Sequence, residues 1–356
     1  MTKSDTEAGM PPASEGQVQK WQMLAALFGA ASIGLLASTI VLGMDSGSDG
    51  EATEVMKSVI PTTRPPTGEN PCAGKKLDFP NVQCIIDEIE QTGEQAGGNV
   101  TKGYNGQKET DVVPITTPYY QAGLCPVNVH WHLGAEHLSV GEYDETGSGP
   151  SDIQERRRLA GKTRLGNQCK YYDENDEKFT KEFDWQHCVD MEVGQTYEVH
   201  WPHSAAGSCG TLNQFQTPFY DGVFCNLDMD TFSTLGRQDI ASAVGVQAQV
   251  FTIVNDEDYY YPDLMRGMIV DGEFGSDIAM YTGSTTGTSR DNTICSQYTP
   301  ITWQVDRKCH LISASTFDKM CADMKAQRDD MTDDLFPHGS RELVDDKLAA
   351  NNHFNL

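Results

Sequence analysis

The chain has 356 residues, of which 52 are acidic and 26 basic, giving a formal net charge of −26 and a pI near 4.5. That balance makes nucleic acid and anionic lipid surfaces poor partners on electrostatic grounds. The acidic residues are spread through every segment, so the charge describes a solvated surface and not a tail.

Residues 1–20 are polar, contain Pro11-Pro12 and show no periodicity; they read as a disordered cytoplasmic tail. Residues 21–44 are predicted as a transmembrane signal anchor. Leu24–Met44 carries no charge and as a helix is long enough to cross a bilayer core of roughly 30 Å. Lys20 precedes it and Asp45, Asp49 and Glu51 follow, which puts the amino terminus in the cytoplasm and the main domain in an extracellular or lumenal space. A cleaved signal peptide over Leu24–Leu36 is the alternative and gives the same topology. Residues 45–70, rich in Ser, Thr, Gly and Pro, read as a linker, and 71–352 as one folded domain.

Ten cysteines suit an oxidising compartment. Short spacings make Cys72/Cys84, Cys169/Cys188, Cys209/Cys225 and Cys295/Cys309 plausible pairs, although spacing alone does not fix connectivity. Asn99-Val100-Thr101 is a glycosylation sequon in a Gly-rich stretch.

Within the domain, Val82–Glu90 has a short helical face. Residues 112–120 are irregular because of Pro114 and Pro118. Arg156-Arg157-Arg158 reads as a solvated helix face. Strands are predicted at Cys125–Ser139, Gly194–Ser204 and Ala243–Asn255, with shorter ones at Thr217–Leu227, Tyr259–Tyr261, Met268–Val270, Ile278–Tyr281 and Tyr298–Val305. Asp318–Arg328 and Glu342–Ala350 read as helices. The fold class that results is a β-rich α+β domain around a mostly antiparallel twisted sheet with peripheral helices.

The chemistry concentrates in two of these strands. In CPVNVHWHLGAEHLS, Val127, Val129, Trp131 and Leu133 alternate with Asn128, His130 and His132, so the two imidazoles share one face and the opposite face is apolar. Gly134 ends or bends the strand, and parity does not fix the side of His137. In YEVHWPHS, Tyr197, Val199 and Trp201 alternate with Glu198 and His200. A neighbouring strand brings His200 opposite the first pair, because cross-strand side chains sit about 5 Å apart. Three imidazoles on adjacent strands leave a tetrahedral ion one open position, the catalytic rather than the structural zinc arrangement.

With both motifs in view, the sequence resembles the delta-class carbonic anhydrases of marine unicellular algae. The resemblance rests on CPVNVHWHLGAEH, YEVHWPHSAAGSCG and the carboxyl-terminal RELVDDKLAANN, and covers roughly residues 72–352. It implies a zinc enzyme that hydrates carbon dioxide reversibly to bicarbonate by a hydroxide on a zinc held by three histidines. His130 and His132 match the paired ligands. The third falls to His200, with His137, inside the matched motif, as the alternative. Three neutral ligands leave the ion its charge, which in this class of enzyme brings the pKa of its water to about 7. His203, near the predicted strand end, is the candidate proton shuttle, and Glu136 the acceptor that holds a ligand imidazole in its tautomer. Two other readings stand beside this one. His130-x-His132-x3-Glu136 also resembles the first cupin motif of manganese or iron oxidoreductases. A non-catalytic cell-surface protein would use its histidines only to stabilise the fold.

Overall fold

A computed structural model gives the strands β1 (Val82–Gln83), β2 (Cys125–Pro126), β3 (His130–Leu133), β4 (Tyr143–Asp144), β5 (Gln168–Cys169), β6 (Thr196–Ser204), β7 (Val244–Val254), β8 (Ile278–Gly283), β9 (Ile294–Cys295), β10 (Ile301–Ser313) and β11 (His338–Gly339). It describes residues 69–75, 82–83, 98–150, 165–283, 294–295, 300–328, 330–331 and 334–350, all within the unit Thr62–Leu356. The expected tail, membrane anchor and most of the linker lie outside the described residues, as do Arg156-Arg157-Arg158 and most of the predicted helix at Val82–Glu90. Among the described residues no helix is long and apolar enough to cross a membrane.

The alternation that predicts β6 also explains its place at the centre. Tyr197, Val199 and Trp201 point into an apolar core, while Thr196, Glu198, His200 and Ser204 occupy the other face. On one side β6 pairs antiparallel with β3 and β2; on the other it pairs antiparallel with β7 over its whole length. Pro202 has no N–H to donate and sits where the ladder passes from β2 to β3, its carbonyl accepting from Val127 N at 2.8 Å. The 7-stranded sheet runs β11-β3-β6-β7-β10-β8, with β2 also on β6.

This sheet is mixed, which corrects the expectation of a mostly antiparallel one. β7 pairs with β10 in parallel, and so does β3 with β11. Parallel neighbours need a long crossover. The chain from Val254 to Ile301 supplies one and drops β8 onto the far edge on the way, antiparallel to β10. The short chain pairs β1–β9 and β4–β5 form separate two-stranded sheets.

The core face packs under the helix Ala314–Gln327. Ser313 caps that helix by accepting from Thr316 N, no proline interrupts it, and Phe317, Met320 and Met324 are buried against the sheet. Trp131 meets Phe317 edge to face at 5.9 Å, with Trp201, Phe251 and Ile253 in the same cluster. Each such side chain contributes about 1.5–3 kcal/mol by leaving water.

Several local expectations are revised. Thr217–Leu227 contains a short helix, Phe219–Val223, and no strand. Glu257–Tyr259 is a 3-10 turn, Met268–Val270 is irregular, and Glu342–Ala350 forms turns instead of a helix. Here the local pattern gave way to packing: these segments bury short runs such as Val223–Cys225, Met268–Ile269 and Leu348–Ala350 instead of alternating or helical faces. Among the described residues the disulfides are Cys72–Cys225, Cys125–Cys209, Cys169–Cys309 and Cys188–Cys321, with sequence separations of 84 to 153. None of the four short-range pairs survives, since Cys72, Cys169, Cys209 and Cys309 all bond elsewhere. The sheet brings distant strands together, and nearness in sequence does not measure that.

Candidate metal centre

His130 and His132 leave β3 on the face away from the core, and His200 on β6 stands directly opposite His130 in the ladder. The ring centroids are 5.3 Å apart for His130 and His132, 5.4 Å for His130 and His200, and 4.6 Å for His132 and His200. One nitrogen from each lies within 4.8 Å of the other two, and all three side chains are buried. Desolvation, joined by the neighbouring His200 and His338, holds His132 well below the usual histidine range, so it is neutral at physiological pH.

The tautomers are set by partners behind the rings. Asn128 Oδ1 accepts from His130 Nδ1 at 2.7 Å, and Asn128 Nδ2 in turn donates to Asp334 Oδ2 at 2.8 Å and to Gln216 O at 2.7 Å. His132 Nδ1 donates to Gly339 O at 3.2 Å and faces Glu136 Oε1, also at 3.2 Å. With Nδ1 protonated in both rings, each Nε2 is a lone-pair donor. Arg341 grips Glu136 through Nε at 3.2 Å and Nη2 at 3.0 Å to Oε2, and its backbone N donates to Oε1 at 3.0 Å. Burial alone would push the Glu136 carboxyl up; the Arg341 guanidinium and His200 bring it down to about 2.

His200 supplies the test of whether these residues suit an ion. Its Nε2 is buried without a hydrogen-bond partner among the described residues; Glu198 Oε1 is 3.5 Å away but not aligned for a bond. A bare buried imidazole nitrogen is costly, and a metal would satisfy it. Three imidazole nitrogens form a borderline-soft donor set of the kind that zinc takes.

Gly134 does turn the chain back, with φ +71, and it carries no side chain because Gly166 N would lie 2.7 Å from a Cβ there. His137 therefore comes within 6.0 Å of His200, ring centre to ring centre. Its nitrogens are committed elsewhere: Nδ1 to Glu198 Oε1 at 2.5 Å and Nε2 to Tyr281 Oη at 2.7 Å. Burial opposes ionisation of Glu198, yet His137 and His200 hold its carboxyl well below the usual carboxylate range. His137, Glu198 and His200 form a second potential ligand group. Glu136 joins neither group; its carboxylate faces Arg341 and His132, which leaves the cupin-like arrangement without its acidic ligand.

His203 is placed apart from the other three histidines. β6 continues unbroken to Ser204, so a residue three positions from His200 falls on the opposite face. There His203 is 5% exposed, its Nδ1 donates to Trp201 O at 2.7 Å, and it packs edge-on against Tyr119. Burial lowers its pKa to about 4 against the opposing pull of that hydrogen bond. His203 thus lies across the sheet from the three histidines.

Asp334, His338, Gly339 and Arg341 went unforeseen at the site. They arrive together because β11 docks beside β3, with His338 opposite His132 and stacked on His130 at 5.6 Å. Nothing local in DLFPHGSR marks them as site residues. Glu198 was legible, since it shares the parity of His200. Phe219, stacked on His130 at 5.8 Å, and Trp303, 5.5 Å from His200, add aromatic walls.

The family model described as delta carbonic anhydrase matches residues 121–316. No curated protein matches the chain. A match over more than half of the 356 residues is beyond what one shared motif produces, and the chain belongs to the delta carbonic anhydrase family.

Proposed function

We propose that this protein catalyses the reversible hydration of carbon dioxide to bicarbonate, with zinc held by His130, His132 and His200. The observation that carries this reading is the partnerless Nε2 of His200, buried where two other imidazoles converge. Family membership supports the reaction, and the donor chemistry supports the metal. When bound, zinc supplies a water acidified toward neutral pH as the nucleophile.

The chain's own residues do the rest. Asn128 and Gly339 keep His130 and His132 in the Nδ1–H form, so two lone pairs face inward in every cycle. Glu136, fixed by Arg341, is a positioning residue for His132, and keeps its negative charge without entering the ligand set. The rings of Phe219 and Trp303 exclude bulk water beside the histidines and suit an apolar substrate such as carbon dioxide. We further propose that the catalytic unit lies in an oxidising extracellular or lumenal space, a reading the disulfides among the described residues support, and that Leu24–Met44 anchors it.

Elemental analysis of the purified chain, coupled to stopped-flow carbon dioxide hydration, tests the reading. One zinc per chain is expected, with activity lost to a chelator and restored by zinc. Absence of stoichiometric metal, or zinc without hydration, would sink it. A bound redox metal would return the oxidoreductase reading.

A further inference from the structure

Among the described residues, three buried side-chain polar atoms have no hydrogen-bond partner: His200 Nε2, Trp303 Nε1 and Thr252 Oγ1. Two of them belong to neighbouring rings. The indole of Trp303 and the imidazole of His200 stand 5.5 Å apart at 76°. Thr252 is elsewhere, four positions along β7 from Ala248, the residue opposite His200, a strand distance of about 13 Å.

The place of Trp303 is fixed by β10, where it pairs with Val246 on one side and Tyr281 on the other. Its ring also meets His137 at 5.4 Å and lies nearly parallel to Tyr281. The two other fully buried tryptophans both use their N–H. Trp131 Nε1 donates to Met191 Sδ at 3.0 Å and Trp201 Nε1 to Leu264 O at 2.8 Å. An indole nitrogen only donates, and buried donors are nearly always paired. Phenylalanine would fill this 1% exposed position without burying a bare N–H.

We propose that Trp303 is a substrate-binding residue, its Nε1–H donating a hydrogen bond to an oxygen of bicarbonate held at the histidine cluster. The proposal rests on the carbonic anhydrase reading and adds to it the group that recognises the anion. A neutral donor suits this task. It marks an oxygen's position without adding a positive charge that would compete for the carboxylates of Glu136 and Glu198. Bicarbonate has an oxygen to spare for the indole, whereas carbon dioxide accepts hydrogen bonds weakly, so the contact discriminates between the two sides of the reaction.

The test uses the full chain loaded with cobalt, titrated with bicarbonate and followed by visible absorption. Trp303→Phe keeps an aromatic ring and removes the N–H. It should retain one metal per chain and weaken bicarbonate binding on the order of tenfold, the range for a hydrogen bond to a charged partner. An unchanged dissociation constant would overturn the proposal. If that variant fails to fold, the parent protein decides. Of the indole N–H resonances of its five tryptophans, one should move downfield as bicarbonate is added to the zinc form, and none moving would overturn it. Failure of the enzyme reading is separable. Bicarbonate binding through the indole in a protein that does not hydrate carbon dioxide would sink that reading alone. Full hydration with an indifferent Trp303→Phe would sink this one alone.

Discussion

His200 and His203 are three residues apart on one strand, equally buried, and opposite in character. His200 faces two other imidazoles and leaves a nitrogen bare. His203 faces the core side, gives its Nδ1 proton to a backbone carbonyl and packs on Tyr119. His310, on His203's side of the sheet, likewise bonds through one ring nitrogen, with Nε2 2.7 Å from Asp306 Oδ2, an oxygen that also accepts from Gln249 Nε2 at 2.8 Å. Burial is therefore not what separates a site from a core. The difference is that His203 and His310 each bond a protein oxygen through one ring nitrogen, whereas His200 leaves its buried Nε2 without a partner among the described residues where two other imidazoles converge.

The largest expected effect breaks that comparison outright. His200→Ala should leave the chain with essentially no stoichiometric metal and no hydration activity, while His203→Leu should keep one metal per chain. Elemental analysis of both proteins checks this; metal retained without His200 would reverse the assignment.

Next is the ion pair behind His132. Arg341→Met strands the Glu136 carboxylate in a dry setting, and breaking one partner of a buried pair costs about 3–5 kcal/mol. Urea unfolding should show that loss, whereas Glu136→Gln combined with Arg341→Met should recover part of it. An Arg341→Met protein as stable as the parent would show that the pair is solvated.

His203 sharpens the contrast through pH. It binds a proton near 6.5 in the unfolded chain and only near 4 in the fold. The unfolded state therefore carries more protons between those values. This contribution to stability is complete above pH 6.5 and is lost as pH falls toward 4, on the order of 3 kcal/mol in all. His203→Leu should flatten that part of the stability profile; an unaltered slope would mean that the imidazole is hydrated in the fold.

Smallest are the groups that only support the ligands. His137→Ala and Asn128→Ala should each weaken metal binding by at most roughly 10- to 100-fold in chelator competition. An emptied site in His137→Ala would promote the second ligand group, His137, Glu198 and His200, over the first.

The sequence by itself put His130 and His132 on one face of a strand, because a strand's side chains alternate and residues two apart point the same way. It also marked β6 and β7 nearly to the residue, since uninterrupted alternation and β-branched side chains are local properties. The same alternation, carried through to the strand end at Ser204, puts His203 on the face opposite His200. Only the tertiary structure decided that β7 and β10 run parallel, that cysteines 84 to 153 positions apart bond, and that β11 carries Gly339 to His132 and Arg341 to Glu136. Those contacts join segments more than 200 positions apart. Their energy comes from closing a common buried volume, and no periodicity within either segment records which distant strand will share it.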